Sequence, residues 1–302
     1  MNNSSSSFLI LFFCSALLSA CSPAKVEFSA NLPEEFKNYW YQGQAELSSY
    51  KLEQARYGAI HEGKAVLIFV TEDFSRKKQV KLDNPQEAGN DAINVMKLNY
   101  MKKFSTGIYP YSMMKSVFTP VDHQQYPHSL KVTTSSQEWC GHTFAQYNLD
   151  GNNYNVLLRS YFESEGDQVF SLNAALLEDE VWNIIRLNPD ALPVGEIDII
   201  PGTFYQRLGH QEAKVAKATA SLKGTDTKIY TLVYSEYDRT ISIEFQAQFP
   251  HKIIGWEETY ASGFGSNAQK LTTKATLDET ILLDYWTRNS PADSVWREKL
   301  NL

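Results

Sequence analysis

Residues 240–249, TISIEFQAQF, constrain the fold more than any other stretch. Ile241, Ile243, Phe245, Ala247 and Phe249 alternate without a break with Thr240, Ser242, Glu244, Gln246 and Gln248. A period of two puts the apolar set on one face of an extended strand, the habit of an antiparallel sheet with one covered side. Residues 228–237 precede this strand, and Glu236-Tyr237-Asp238-Arg239 supplies a tight connection, so the two segments predict a hairpin. Residues 251–261 offer a third strand, with Pro250 at a corner where no ladder donor is needed.

The theme repeats at 45–57, 64–71, 92–104, 130–138, 141–149, 154–162, 213–222 and 270–277. His61-Glu62-Gly63, Asp150-Gly151-Asn152-Asn153 and Lys223-Gly224-Thr225-Asp226 read as turns, and 82–91 as an exposed loop. Two segments carry helical stripes: 171–186, stopped by Asn188-Pro189, and 278–289, which begins at Asp278 and breaks before Pro291. The expected architecture is mainly β: a large curved antiparallel sheet, either an open or split β-barrel or two packed sheets, with one or two covering helices. Residues 36–302 form this β-rich domain, as one body or as two lobes joined near the proline-rich stretch 187–202. With 17 Tyr, 16 Phe and 6 Trp, wide flat side chains are available for sheet faces or for lining a hollow.

The N-terminus carries an address. Residues 8–18, FLILFFCSALL, form an apolar run within the range of a signal-peptide core and shorter than a membrane-spanning helix. Leu18-Ser19-Ala20-Cys21 then resembles the bacterial lipobox, whose cysteine sulfur takes a diacylglycerol. The expectation is a signal peptide over 1–20, a lipid-anchored spacer over 21–35, and a protein held at the bacterial cell envelope, at the outer membrane, through lipid on Cys21. Whether it faces the periplasm or the cell surface is open. Cys14 leaves with the signal, so Cys140 stands alone in the mature chain and no intramolecular disulfide is expected. A net charge of −7 argues against nucleic acid as a partner.

One local cluster suggests chemistry. If the turn after Asp150 sets Leu149 opposite Tyr154, then His142 faces Tyr161 and Cys140 faces Glu163, all on one side of the sheet. Cys140 as nucleophile, His142 as base and Glu163 as orienter would make a cysteine-dependent hydrolase or transferase. The competing reading makes Cys140 a small buried hydrophobe and His142 a hydrogen-bonded strand residue. Trp139-Cys140-Gly141-His142 lacks the second cysteine of a disulfide-exchange motif. The acidic run Glu178-Asp179-Glu180 points in three directions around a helix and reads as a solvated face. No calcium-loop spacing, HExxH, GxSxG or Walker sequence occurs, and neither a metal nor a cofactor is expected.

Residues 104–118 offer Tyr109, Tyr111 and Met114 as a ligand or partner surface, with Trp256 as a fourth candidate; the competing reading of 104–118 is a core crossing. The preferred function is a lipid-anchored envelope binding or assembly protein without catalytic activity. Its partner would be another envelope protein, a glycan or a small apolar ligand, besides the membrane itself.

Arg56-Tyr57-Gly58 through Val70-Thr71-Glu72-Asp73-Phe74, residues 104–111, 137–142, 177–182 and 249–258 together resemble uncharacterised lipoproteins of Bacteroidota, a family often labelled septum-formation inhibitor Maf. The resemblance spans nearly all of the mature chain and implies an envelope lipoprotein, with no catalytic residues to carry over. The enzymes for which that label was coined are cytoplasmic nucleotide pyrophosphatases with a Ser-x-Ser-x-Arg-Arg start, a run this chain lacks.

Overall fold

The computed structural model describes residues 32–302. The expected signal segment, Cys21 and most of the spacer lie outside the described residues. A short helix, α1 (Glu34–Trp40), leads into β1 (Ala45–Arg56), β2 (Ala59–Ser75), β3 (Ala92–Thr106) and β4 (Tyr109–Pro120). Then come β5 (Lys131–Glu138), β6 (Gly141–Asp150), β7 (Asn153–Arg159), β8 (Gln168–Asn173) and the two-residue β9 (Leu176–Leu177). After α2 (Glu178–Leu187) follow β10 (Gly195–Ile200), α3 (Thr203–Gly209), β11 (Ala216–Gly224), β12 (Thr227–Tyr234) and β13 (Arg239–Gln246). Last are β14 (Ile253–Ser262), β15 (Gln269–Leu283) and α4 (Val295–Lys299).

All fifteen strands join one sheet in the order β8-β7-β6-β5-β4-β3-β2-β1-β15-β14-β13-β12-β11-β10-β9. The first and last strands pair in its middle, with Ala45 opposite Leu283, while the middle of the chain supplies both edges. Among the described strands only β9 and β10 run parallel. Two residues separate Asn173 at one edge from Leu176 at the other. Three Cα steps, about 11 Å, therefore bound the gap between the edges at that corner. The sheet curls almost into a ring, and its hydrogen bonds stop short of closure.

Alternation decides what fills the ring. Met96, Leu98, Tyr100 and Phe104 of β3, Tyr111, Met113 and Val117 of β4, and Tyr230, Leu232 and Tyr234 of β12 share one buried core. At its centre Trp256 lies 4.8 Å from Tyr50, 5.3 Å from Tyr100 and 5.2 Å from Trp182, ring centroid to centroid. Trp182 belongs to α2, which starts directly after the edge strand β9 and is buried from Glu178 through Arg186.

A helix buried on every side needs partners in place for its charged side chains. Glu178 receives two hydrogen bonds from Arg239 of β13 and one from Tyr234 of β12. Asp179 takes Lys115 of β4 and the backbone N–H of Thr203. Glu180 accepts from the N–H of Ser129 and the N–H of Leu177. Arg186 clamps Glu46 of β1 with bonds of 2.6 and 2.7 Å. The acidic run expected to be solvated is thus buried. Its three directions meet three different walls, because the sheet surrounds the helix.

The hairpin expected from 228–237 and 240–249 forms as β12 and β13, turning through a 3-10 segment and Asp238 in the left-handed region. Pro250 stands at the corner before β14 as expected. Other expectations need correction. Residues 168–173 form the edge strand β8, because β7 offers them a ladder, and the helix begins only at Glu178. Residues 278–283 continue β15 along β1, and the apolar stripe read as helical serves the two faces of that strand. His61 and Gly63 lie within β2, since the hairpin turns earlier at Tyr57 and Gly58, both at positive φ. A Cβ on Gly63 would stand 2.3 Å from the carbonyl oxygen of Lys103, so this strand position needs glycine for close approach. Residues 187–202 hold a 3-10 turn and β10, which pairs with β9 and β11 inside the same sheet.

Candidate functional site

Part of the outer face, on β1, β2 and β15 with Met101 of β3, is apolar. Residues 65–70, AVLIFV, run without a polar interruption: Ala65, Leu67 and Phe69 enter the ring core, while Ile68 and Val70 join a second cluster outside it. Such a run marks a strand covered on both sides. The outer cover is the C-terminal segment, in which Leu283, Tyr285, Trp296, Leu300 and Leu302 pack toward Leu47, Val66 and Met101. Asp278 ties the segment down. Burial opposes its charge, yet hydrogen bonds from Lys64 and Asn301 and the charges of Lys51 and Lys64 hold its carboxyl below the ordinary value.

The cover is incomplete. Between it and the strands lies a groove of about 1000 Å³, floored by Val66, Ile68 and Met101 and flanked by Trp296 and Leu300. Its volume is that of a small-molecule site. Lys64, Lys103, Arg288 and Arg297 stand around it against Glu62 and Asp293. Lys64 is paired with Asp278 at 3.2 Å and Arg288 with Asp284 at 2.8 Å. Lys103 and Arg297 have no ion-pair partner among the described residues, and both are exposed. An apolar trough with two free cations at its rim suits a molecule with an alkyl body and an anionic end.

The expected ligand surface is dispersed. Trp256 is the centre of the ring core at 4% exposure, and Tyr111 at 3% is stacked on Phe104 with centroids 4.8 Å apart. Their side chains face inward because alternation on β4 and β14 puts them there, which corrects the surface reading. Met114 faces outward on β4, and Tyr109 is half-buried beside Trp139. Of the four, Tyr111 alone is among the residues around the groove. The groove's own residues were hidden from sequence reasoning by the helical reading of 278–289, although the unbroken 65–70 run signalled a second covered face.

The ladder expected to bring the thiol cluster together does not extend to it. Leu149 does stand opposite Tyr154, but the ladder ends at Phe144 and Arg159, short of the expected His142–Tyr161 and Cys140–Glu163 pairs. Cys140 occupies the turn between β5 and β6 and is exposed, correcting the buried reading as well. His142 is exposed on β6 and Glu163 is exposed in the loop after β7. Glu138, hydrogen-bonded to the Cys140 backbone at 2.7 Å, pushes the thiol up by hydrogen bonding and by charge, away from the reactive thiolate. In the same loop Glu165 is the carboxylate drawn inward, taking Arg207 at 2.8 Å and His210 at 2.6 Å. Among the described residues no group of three or more His, Cys, Asp or Glu is placed to hold a metal ion.

Comparison with protein-family models, with curated proteins and with solved structures finds no match to this chain.

Proposed function

We propose that the chain is a cell-envelope lipoprotein, tethered at the outer membrane through lipid on Cys21, that binds a single-chain anionic amphiphile such as a long-chain carboxylate. The groove on the outer face of β1 to β4 carries the reading: an apolar trough of about 1000 Å³ beside two exposed cations that lack carboxylate partners among the described residues. Each methylene that leaves water for the trough contributes about 0.8 kcal/mol, so eight to ten of them supply roughly 6–8 kcal/mol before ordering costs. Lys103 and Arg297 then select the charged end. The resemblance to Bacteroidota lipoproteins implies the same tethered placement, and no helix among the described residues is long and apolar enough to cross a membrane.

Displacement of a fluorescent polyene fatty acid from the purified protein tests the reading. Palmitate should displace the probe at one site per chain, and the double variant Lys103→Glu, Arg297→Glu should weaken binding at least tenfold with an unchanged circular dichroism spectrum. Absence of saturable probe binding would refute it.

A further inference from the structure

A second cavity, of about 420 Å³, opens at the other end of β1, where Arg56 meets Tyr205, Tyr237, Tyr260, Gln211 and Ser262. Arg56 is only 5% exposed. Its Nη1 donates to the carbonyl of Leu208, and its Nη2 reaches the hydroxyls of Tyr57 at 3.2 Å and Tyr111 at 3.4 Å. Its Nε–H is buried without a hydrogen-bond partner. Among the described residues no carboxylate lies within 4.0 Å of this guanidinium, whereas the still more deeply buried Arg186 and Arg239 are each held by one at 2.6 Å. Burying a cation without an anion is costly, and the fold has matched its other deeply buried arginines. The one carboxylate around the cavity, Glu236, is occupied by Lys214 at 2.7 Å.

We propose that this cavity binds a small hydroxylated carboxylic acid of the uronic-acid class, with its carboxylate on Arg56. Guanidinium geometry suits a planar carboxylate, and no carboxylate of the described residues occupies this one. The rings of Tyr237 and Phe264 line the cavity and offer apolar contact for the C–H side of a sugar ring, while the Tyr205 ring is already taken by the Arg239 guanidinium at 4.2 Å. Gln211, Ser262 and the tyrosine hydroxyls offer polar partners for its hydroxyl groups. The cavity and the outer groove have no lining residue in common, and Tyr111 of the groove meets Arg56 through its hydroxyl.

Titration calorimetry of the purified full-length protein with D-glucuronate, D-glucose and acetate decides the matter. Glucuronate should bind at least tenfold more tightly than either of the others, and Arg56→Gln should abolish its binding. Because Arg56 is buried, a second variant guards against a folding artefact. Phe264→Ala, at the 55% exposed lip, should leave the melting temperature unchanged and weaken glucuronate three- to tenfold. No glucuronate binding, equal binding of acetate, or binding indifferent to both substitutions would overturn the proposal.

Discussion

Arg239 grips Glu178 through two hydrogen bonds of 2.6 Å, joining strand β13 to the first turn of the helix inside the ring. Both side chains are almost wholly buried. Removing one partner leaves the other as an uncompensated charge, so Arg239→Met is expected to cost about 3–5 kcal/mol in chemical denaturation. Burial opposes the Glu178 charge, but Arg239, by charge and by hydrogen bond, and Tyr234 hold its carboxyl below the ordinary value. A depressed carboxylate contributes stability that is present above its unfolded pKa and lost as pH falls through the folded one. Unfolding free energy should therefore drop with acidification below pH about 4.5, and Glu178→Gln should flatten that slope.

Lys102 gives a dependence of the same sign in a higher pH window. Desolvation, with Lys115, Arg56 and Arg239 adding repulsion, lowers its ammonium to about 7 despite the attraction of Glu258. The unfolded chain keeps this proton to a much higher pH, so between pH 7 and 10 it binds more protons than the folded chain and stability rises with pH. The penalty is fully present below pH about 7. Lys102→Met should be more stable than the parent at pH 7, with the difference shrinking toward pH 10 in denaturant titrations.

Trp256 and Met114 separate core from surface. Trp256→Ala should cost about 3–5 kcal/mol, because a buried ring among three other aromatic residues leaves a cavity. Met114→Ala, on the exposed face of β4, should stay within about 0.5 kcal/mol of the parent.

Much of this architecture was legible in the residues. The period-two stretches located most strands, and the residues after Asp150 fixed the register of β6 and β7 through Leu149 and Tyr154. What sequence could not reveal is that the open sheet curls around a helix. Glu178, Asp179 and Glu180 look like solvent residues until Arg239, Lys115 and the Ser129 amide, each distant in the chain, arrive on separate sides. Nor could local pattern separate strand from helix at Ile281, Leu282 and Leu283, where pairing with β1 decides. The outer groove depends on that same decision. Its signature in the sequence was the run 65–70, too apolar for a strand with one wet face.

Cys140 should behave as an ordinary, sluggish thiol. With Glu138 holding its pKa above the ordinary value, iodoacetamide should label the native protein slowly at pH 7.5 and faster above pH 9. Glu138→Gln should raise the rate at pH 7.5, and Cys140→Ser should leave stability within about 0.5 kcal/mol of the parent.

Native mass spectrometry of the full-length protein, released gently from membranes, tests the central claim most directly. The groove reading predicts one non-covalent long-chain carboxylate per chain. Met101→Glu, which sets an acid on the apolar floor, should lose it while retaining the folded charge-state distribution. A chain that carries no such molecule, even with palmitate supplied in excess, or a Met101→Glu protein that keeps it, would contradict the account.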